Sequence, residues 1–209
     1  MPNVIGAIDC THVNIRAPKE NPQVYVNRKG KHSINVQAIV NADLQFVNVV
    51  AKWPGSSHDA FIWENSNICS DLRNGRLPSG WLIGDSGYPL QPWLMTPVPH
   101  PASPAEERYN AAFARTRVSV ERAFGVLKAR FRCLDSSGGV LCYSPERVCK
   151  IIMSCCVLHN ICMERRLPLP DVINLPHQEA PADVDPQHPN NDHHSGLQTR
   201  NNIIARFFA

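Results

Sequence analysis

At 209 residues, 43% of them apolar, the chain is long enough for one domain with a real core and has the composition of a folded protein. No apolar run nears the ~18 residues of a membrane span, and no basic stretch leads into an apolar signal core, so an intracellular setting is expected. The net charge of +3 is unevenly divided: five acids and two basic residues fall from Leu167 onward, leaving a basic body that suits a polyanionic partner.

Val4 to Val13 is an apolar, β-branched run that reads as a buried strand. Asp9 sits in its middle, where a carboxylate is costly to bury unless it lies at an edge or meets a positive partner. A polar stretch from Arg16 to Gly30 follows, ending on Arg28, Lys29 and Lys31, and reads either as a solvated hairpin or as a phosphate contact. Ile34, Val36, Ala38 and Val40 then alternate with Asn35, Gln37 and Ile39 at the period of a strand. After a turn at Asn41–Asp43, Phe46 to Trp53 makes a third strand, and the short connections predict an antiparallel meander. Beyond Pro54 and Gly55, a helix capped by Ser or Asp is expected through Phe61, Ile68 and Leu72. Asp59 near its start is explained on its own by the helix dipole, which favours an acid there, so among the acids it is the weakest candidate for a ligand role.

Trp81, Leu82 and Ile83 form a short apolar strand running straight into Asp85 and a glycine turn. Binding groups collect at such carboxyl ends of strands. The intervening helix predicts that this strand lies parallel to the first, which would make Asp9 and Asp85 neighbours. Pro89 to Pro104 is irregular, with room for one strand at Trp93–Met95. A long helix starts at Ala105, with Phe113, Val120, Phe124, Leu127 and Phe131 as its core stripe. Glu121 lies at the rim of that stripe, with Arg117, Lys128 and Arg132 on its side. Ser144 and Pro145 start another helix to Arg166 that is apolar nearly all round and is expected to be buried.

Four of the eight cysteines fall in that last helix and read as reduced, packed residues. No C-x-x-C pair occurs, and core packing explains Cys155, His159 and Cys162 better than a zinc site. The chain thus divides into a domain over 1–166 and a Pro/Asp/Asn/His-rich tail over 167–209, expected to be largely disordered. Within the tail His188, His193 and His194 read as solvent-exposed, while Ile203 to Phe208 can dock back on the body.

Three antiparallel strands, a helix, an acid-bearing parallel strand and late helices are the order of an α/β, ribonuclease-H-like mixed sheet flanked by helices. Gly6–His12, Pro54–Asp59, Gly84–Pro89, Val120–Gly125 and Leu158–Asn160 together resemble the DDE nuclease domain of PIF/Harbinger transposases and their domesticated relatives. The resemblance covers roughly residues 4–166 and also the terminal Ile-Ile-Ala-Arg-Phe-Phe. It implies a metal-dependent DNA endonuclease in which Asp9, Asp85 and Glu121 are catalytic and bind Mg²⁺ or Mn²⁺, with Asp59 as a fourth ligand. Arg117, Lys128 and Arg132 would hold the DNA backbone. The family also implies a Myb-like DNA-binding protein as partner, and its members carry a helical region, associated with DNA binding, upstream of the first strand. A DNA substrate places the expected action in the nucleus, with the cytoplasm second. Two rivals stand beside this reading: a catalytically silent binding scaffold, and a serine hydrolase using Ser86 in Gly84-Asp85-Ser86-Gly87.

Overall fold

The computed structural model describes residues 1–77, 79–169 and 191–209. A five-stranded mixed sheet in the order β3-β2-β1-β4-β5 organises it. Its strands are β1 (Val4–Asn14), β2 (Ser33–Val40), β3 (Phe46–Pro54), β4 (Trp81–Ile83) and β5 (Leu94–Met95). β1 pairs antiparallel with β2, and β2 with β3, because short turns join them. β1 pairs parallel with β4 and β4 with β5, after the crossover through α1 (Asp59–Glu64) and α2 (Asn67–Arg73). The strand order and mixed directions are those expected of a ribonuclease-H-like sheet.

Helices cover both faces. On one side α3 (Pro104–Arg130), α4 (Pro145–Glu164) and α5 (Asn191–Phe207) pack over Ala7, Val36, Ala38 and Ile83. On the other, Ile62, Trp63, Cys69 and Leu72 of α1 and α2 pack over Ile8, Cys10 and Ile39. With both faces covered, all eight residues of β2 are buried, Asn35 and Gln37 included. The alternation in β2 therefore distinguishes two cores, not a core from water.

Several boundaries differ from the sequence expectation. The helix expected from Asp59 to Leu72 is two helices, because Ser66 ends one and caps the next: its Oγ donates to Trp63 O at 2.6 Å and accepts from Cys69 N at 3.3 Å. α3 begins at Pro104, one residue before the expected Ala105, because Ser103 Oγ accepts from Glu106 N and Pro104 fits the first turn. Phe131, the last residue of its stripe, stands at the C-cap just past the helix and still packs against the core. α4 is not buried all round: Val148, Ile152, Cys155, Cys156 and His159 face the sheet while Met153, Val157, Leu158 and Ile161 are exposed.

In the tail, residues 191–207 form α5, with Ile203 and Ile204 buried and Arg200 Nη1 donating to Pro97 O at 3.0 Å. The stretch 170–190, with His188, lies outside the described residues, while His193 and His194 are exposed on α5. The Leu158-His159-Asn160 motif works as a clamp on the β2–β3 hairpin. His159 Nε2 bonds Leu44 O at 2.8 Å. Asn160 Oδ1 accepts from Phe46 N, and its Nδ2 donates to Phe46 O, each at 2.9 Å. His159 is wholly buried beside Cys155 in this packing role, as core packing predicted.

Candidate active site

The parallel register places the acids. Ala7 of β1 faces Ile83 of β4, and both Asp9 and Asp85 lie two residues beyond that pair. β4 stops at Ile83, so the sheet opens beside Asp9. Gly84 is required at this exit, because a Cβ there would stand 2.9 Å from the Tyr88 ring and 3.0 Å from Ile8 Cγ2. Asp85 then closes a tight turn, its Oδ1 accepting from Gly87 N at 2.9 Å. Glu121 arrives from α3, which lies over β1. Asp9, Asp85 and Glu121 line one cleft together with Cys10, Thr11, Arg117 and Phe124.

Arg117 binds two of the three acids. Its Nη1 donates to Asp9 Oδ2 at 2.8 Å, and its Nη2 donates to Glu121 Oε1 one helical turn further on. The Asp9 and Arg117 side chains are only 13% and 23% exposed, so this is a largely dehydrated pair. Asp9 Oδ1 also accepts from Cys10 N at 2.8 Å. Burial nevertheless wins: it lifts the Asp9 carboxyl from 3.8 to about 7, against the pull of Arg117 and with the added push of Asp85. Asp85 is raised too, by burial and then by the Asp59 charge. Burial works against the Arg117 charge, but Asp9, Glu121 and Asp85 together outweigh it and leave its pKa raised. The cleft thus concentrates more negative charge than one guanidinium neutralises.

The other candidates are placed unequally. Asp59 is the first residue of α1, not the cap, and does not line the cleft. Its Oδ1 accepts from Asn35 Nδ2 at 3.1 Å, while its charge reaches Asp85 and Asp9 through space. Lys128 Nζ donates to Thr11 Oγ1 at 2.7 Å and to His12 O at 3.2 Å, which holds it against β1 beside the acids. Arg132 lies beyond the end of α3 and bonds Ser137 Oγ at 2.7 Å, so it does not share Glu121's face.

Sequence reasoning missed Thr11 and Asn35, which position Lys128 and Asp59. Thr11 was open to inference, since residues two apart on a strand share a face. Arg28 and Lys29 left their role open in the sequence; here Arg28 bears on both Asp85 and His12, and Lys29 on His12. His12, whose Nδ1 bonds Ser33 Oγ at 3.0 Å, is lowered from 6.5 to about 4, chiefly by burial. It is therefore a neutral spacer between these cations at physiological pH.

Among the described residues, no three His, Cys, Asp or Glu side chains are grouped closely enough to share one ion as they stand. Asp9 and Glu121 are instead turned to Arg117. The donor chemistry still fits a divalent cation: hard carboxylate oxygens from three elements face one cleft, two of them held against their preference for ionisation.

Residues 8–160 match the family model described as DDE superfamily endonuclease. The chain belongs to the DDE superfamily endonucleases. It is 46% identical over 164 residues to the human protein named "Putative nuclease HARBI1", covering 78% of this chain and 47% of the relative. The mouse protein of that name is 43% identical over 181 residues, covering 84% and 52%. An Arabidopsis thaliana "Protein ALP1-like" is 32% identical over 182 residues, covering 78% and 44%. The chain thus spans about half the length of the curated relatives it matches. No solved structure gives a significant match. As a DDE endonuclease domain on a mixed α/β sheet, the chain lacks the all-β setting that a trypsin-like role for Ser86 requires, and Ser86 is simply the turn residue after Asp85.

Proposed function

We propose that this domain is a divalent-metal-dependent DNA endonuclease of transposase origin, with Asp9, Asp85 and Glu121 as its catalytic acids. The observation carrying the reading is their convergence, from a central strand, a strand end and a helix, on one cleft where burial raises Asp9 to about 7. These three residues would hold Mg²⁺ or Mn²⁺, with Asp59 acting on the site through its charge. Held there, such ions would supply the activation of a water and the charge neutralisation of a leaving oxygen that phosphodiester hydrolysis needs.

The chain's own residues do the rest. Lys128, fixed by Thr11 and the His12 carbonyl, meets a backbone phosphate at the rim, and Arg28 and Lys29 extend that positive edge. Arg117 keeps Asp9 and Glu121 from repelling one another before the ions enter. Arg132 is a more distant backbone contact. Hydrolysis leaves a 3′-hydroxyl and a 5′-phosphate. DNA is the substrate, a Myb-like DNA-binding protein the partner, and the nucleus, with the cytoplasm second, the place of action.

A second reading, a catalytically silent scaffold, is favoured by one observation: Arg117 already bridges Asp9 and Glu121 where ions would sit. Nicking of supercoiled plasmid separates the two. The nuclease reading expects nicking with Mg²⁺ or Mn²⁺ by the wild type and loss of it in Asp9→Ala and Asp85→Ala. Equal nicking by both variants, or none by any form, overturns it.

A further inference from the structure

α4 presents an open apolar face among the described residues. Met153, Val157, Leu158 and Ile161 are 39%, 57%, 48% and 41% exposed, on the side of the helix away from Ile152, Cys156 and His159. A surface helix normally carries polar residues at that pole. Here two turns of large apolar side chains occupy it, with Lys150 and Glu164 exposed at either end. Asn160, at the margin of this face, fastens α4 to Phe46, so the stripe is presented rigidly.

The face is its own complement. Counted from Val157, Met153 and Ile161 stand four residues to either side, and Lys150 and Glu164 seven. We propose that α4 pairs antiparallel with α4 of a second copy about a two-fold axis through Val157. Val157 then meets Val157, Met153 meets Ile161, and Lys150 meets Glu164, twice over, as an isologous contact requires. Lys150 and Glu164 stand about 21 Å apart along the helix, one beyond each end of the apolar stripe. Ser154, small and on the same face, lets the helices approach to roughly 8–10 Å. The mixed charge favours a second copy over a lipid surface, which would select cations alone. Lys150 also lies one turn from Glu146, so the intermolecular pair sets register more than strength. One helix pair buries less than the ~800 Å² per partner of a stable complex, so the dimer is weak and reversible.

Sedimentation velocity of the full chain under reducing conditions, from about 5 to about 200 µM, tests this. The expected result is a monomer–dimer equilibrium that Val157→Glu abolishes. Lys150→Glu and Glu164→Lys should each weaken it about tenfold, and the double variant should restore it by recreating the opposite pairing. All three positions are exposed, so thermal unfolding of each variant should match the wild type. A monomer at every concentration, a dimer indifferent to Val157→Glu, or a double variant as weak as the two single losses combined overturns the proposal.

Discussion

Replacing Asp9 with asparagine keeps the side chain's shape and removes its charge, which lifts the cost of burying that charge at the loss of one acceptor oxygen. In the folded domain the Asp9 carboxyl titrates at about 7, against 3.8 ordinarily, with burial the main cause. Between those values the folded protein keeps a proton that the unfolded chain has released. Folding therefore weakens as pH rises through that window, and the full penalty is present above it. Three units at 1.36 kcal/mol each set the penalty near 4 kcal/mol at pH 8. Aspartate takes Arg117 on Oδ2 and Cys10 N on Oδ1, whereas asparagine has one acceptor oxygen and turns its NH2 toward one of these donors, so a smaller net gain of about 1–3 kcal/mol is expected. Urea unfolding of chelated protein at pH 5 and pH 8 measures it. Asp9→Asn should be more stable than wild type at pH 8, and the gap should shrink at pH 5. Added Mn²⁺ should then stabilise the wild type and leave the variant nearly unmoved. A variant no more stable than wild type at pH 8, with a flat wild-type pH dependence, would refute the argument that Asp9 is held dehydrated.

Three further outcomes follow from the same contacts. Lys128→Ala should weaken duplex DNA binding similarly for unrelated sequences and reduce the slope of log affinity against log salt by about 1, read by fluorescence anisotropy. An unchanged slope would remove Lys128 from the backbone contacts. Asn160→Ala deletes both bonds to Phe46 and should cost about 2 kcal/mol in urea unfolding, with hydrogen exchange quickening first along β3. Gly84→Ala forces a methyl group against Tyr88 and Ile8, and should destabilise by about 1–3 kcal/mol while lowering nicking through displacement of Asp85. Full stability and full activity together would show that the strand exit tolerates a side chain.

Element types and their order were legible because strand and helix periods are local properties of the chain. The parallel pairing of β4 with β1 was legible too, since a crossover between them leaves little choice, and it brings Asp9 beside Asp85. Local pattern misled wherever a second neighbour mattered. The alternation through Gln37 marks a strand without saying what covers it, and Gln37 is wholly buried beside Cys10 on the second face. The helix from Asp59 read as continuous, yet Ser66 caps a new one. Arg132 seemed to extend the cationic face of α3, but the helix ends at Arg130.

What the amino-acid order determined is which groups could meet: an acid in a central strand, an acid after a parallel strand, and an acid with an arginine one turn before it. What tertiary structure decided is the state in which they meet. Dehydration of Asp9, the bridging of Asp9 and Glu121 by Arg117, the retreat of Asp59 to Asn35 and the uncovered pole of α4 all depend on distances between segments remote in sequence. Electrostatic energy and solvent exposure are set by that three-dimensional surrounding, which residue spacing along one chain does not encode.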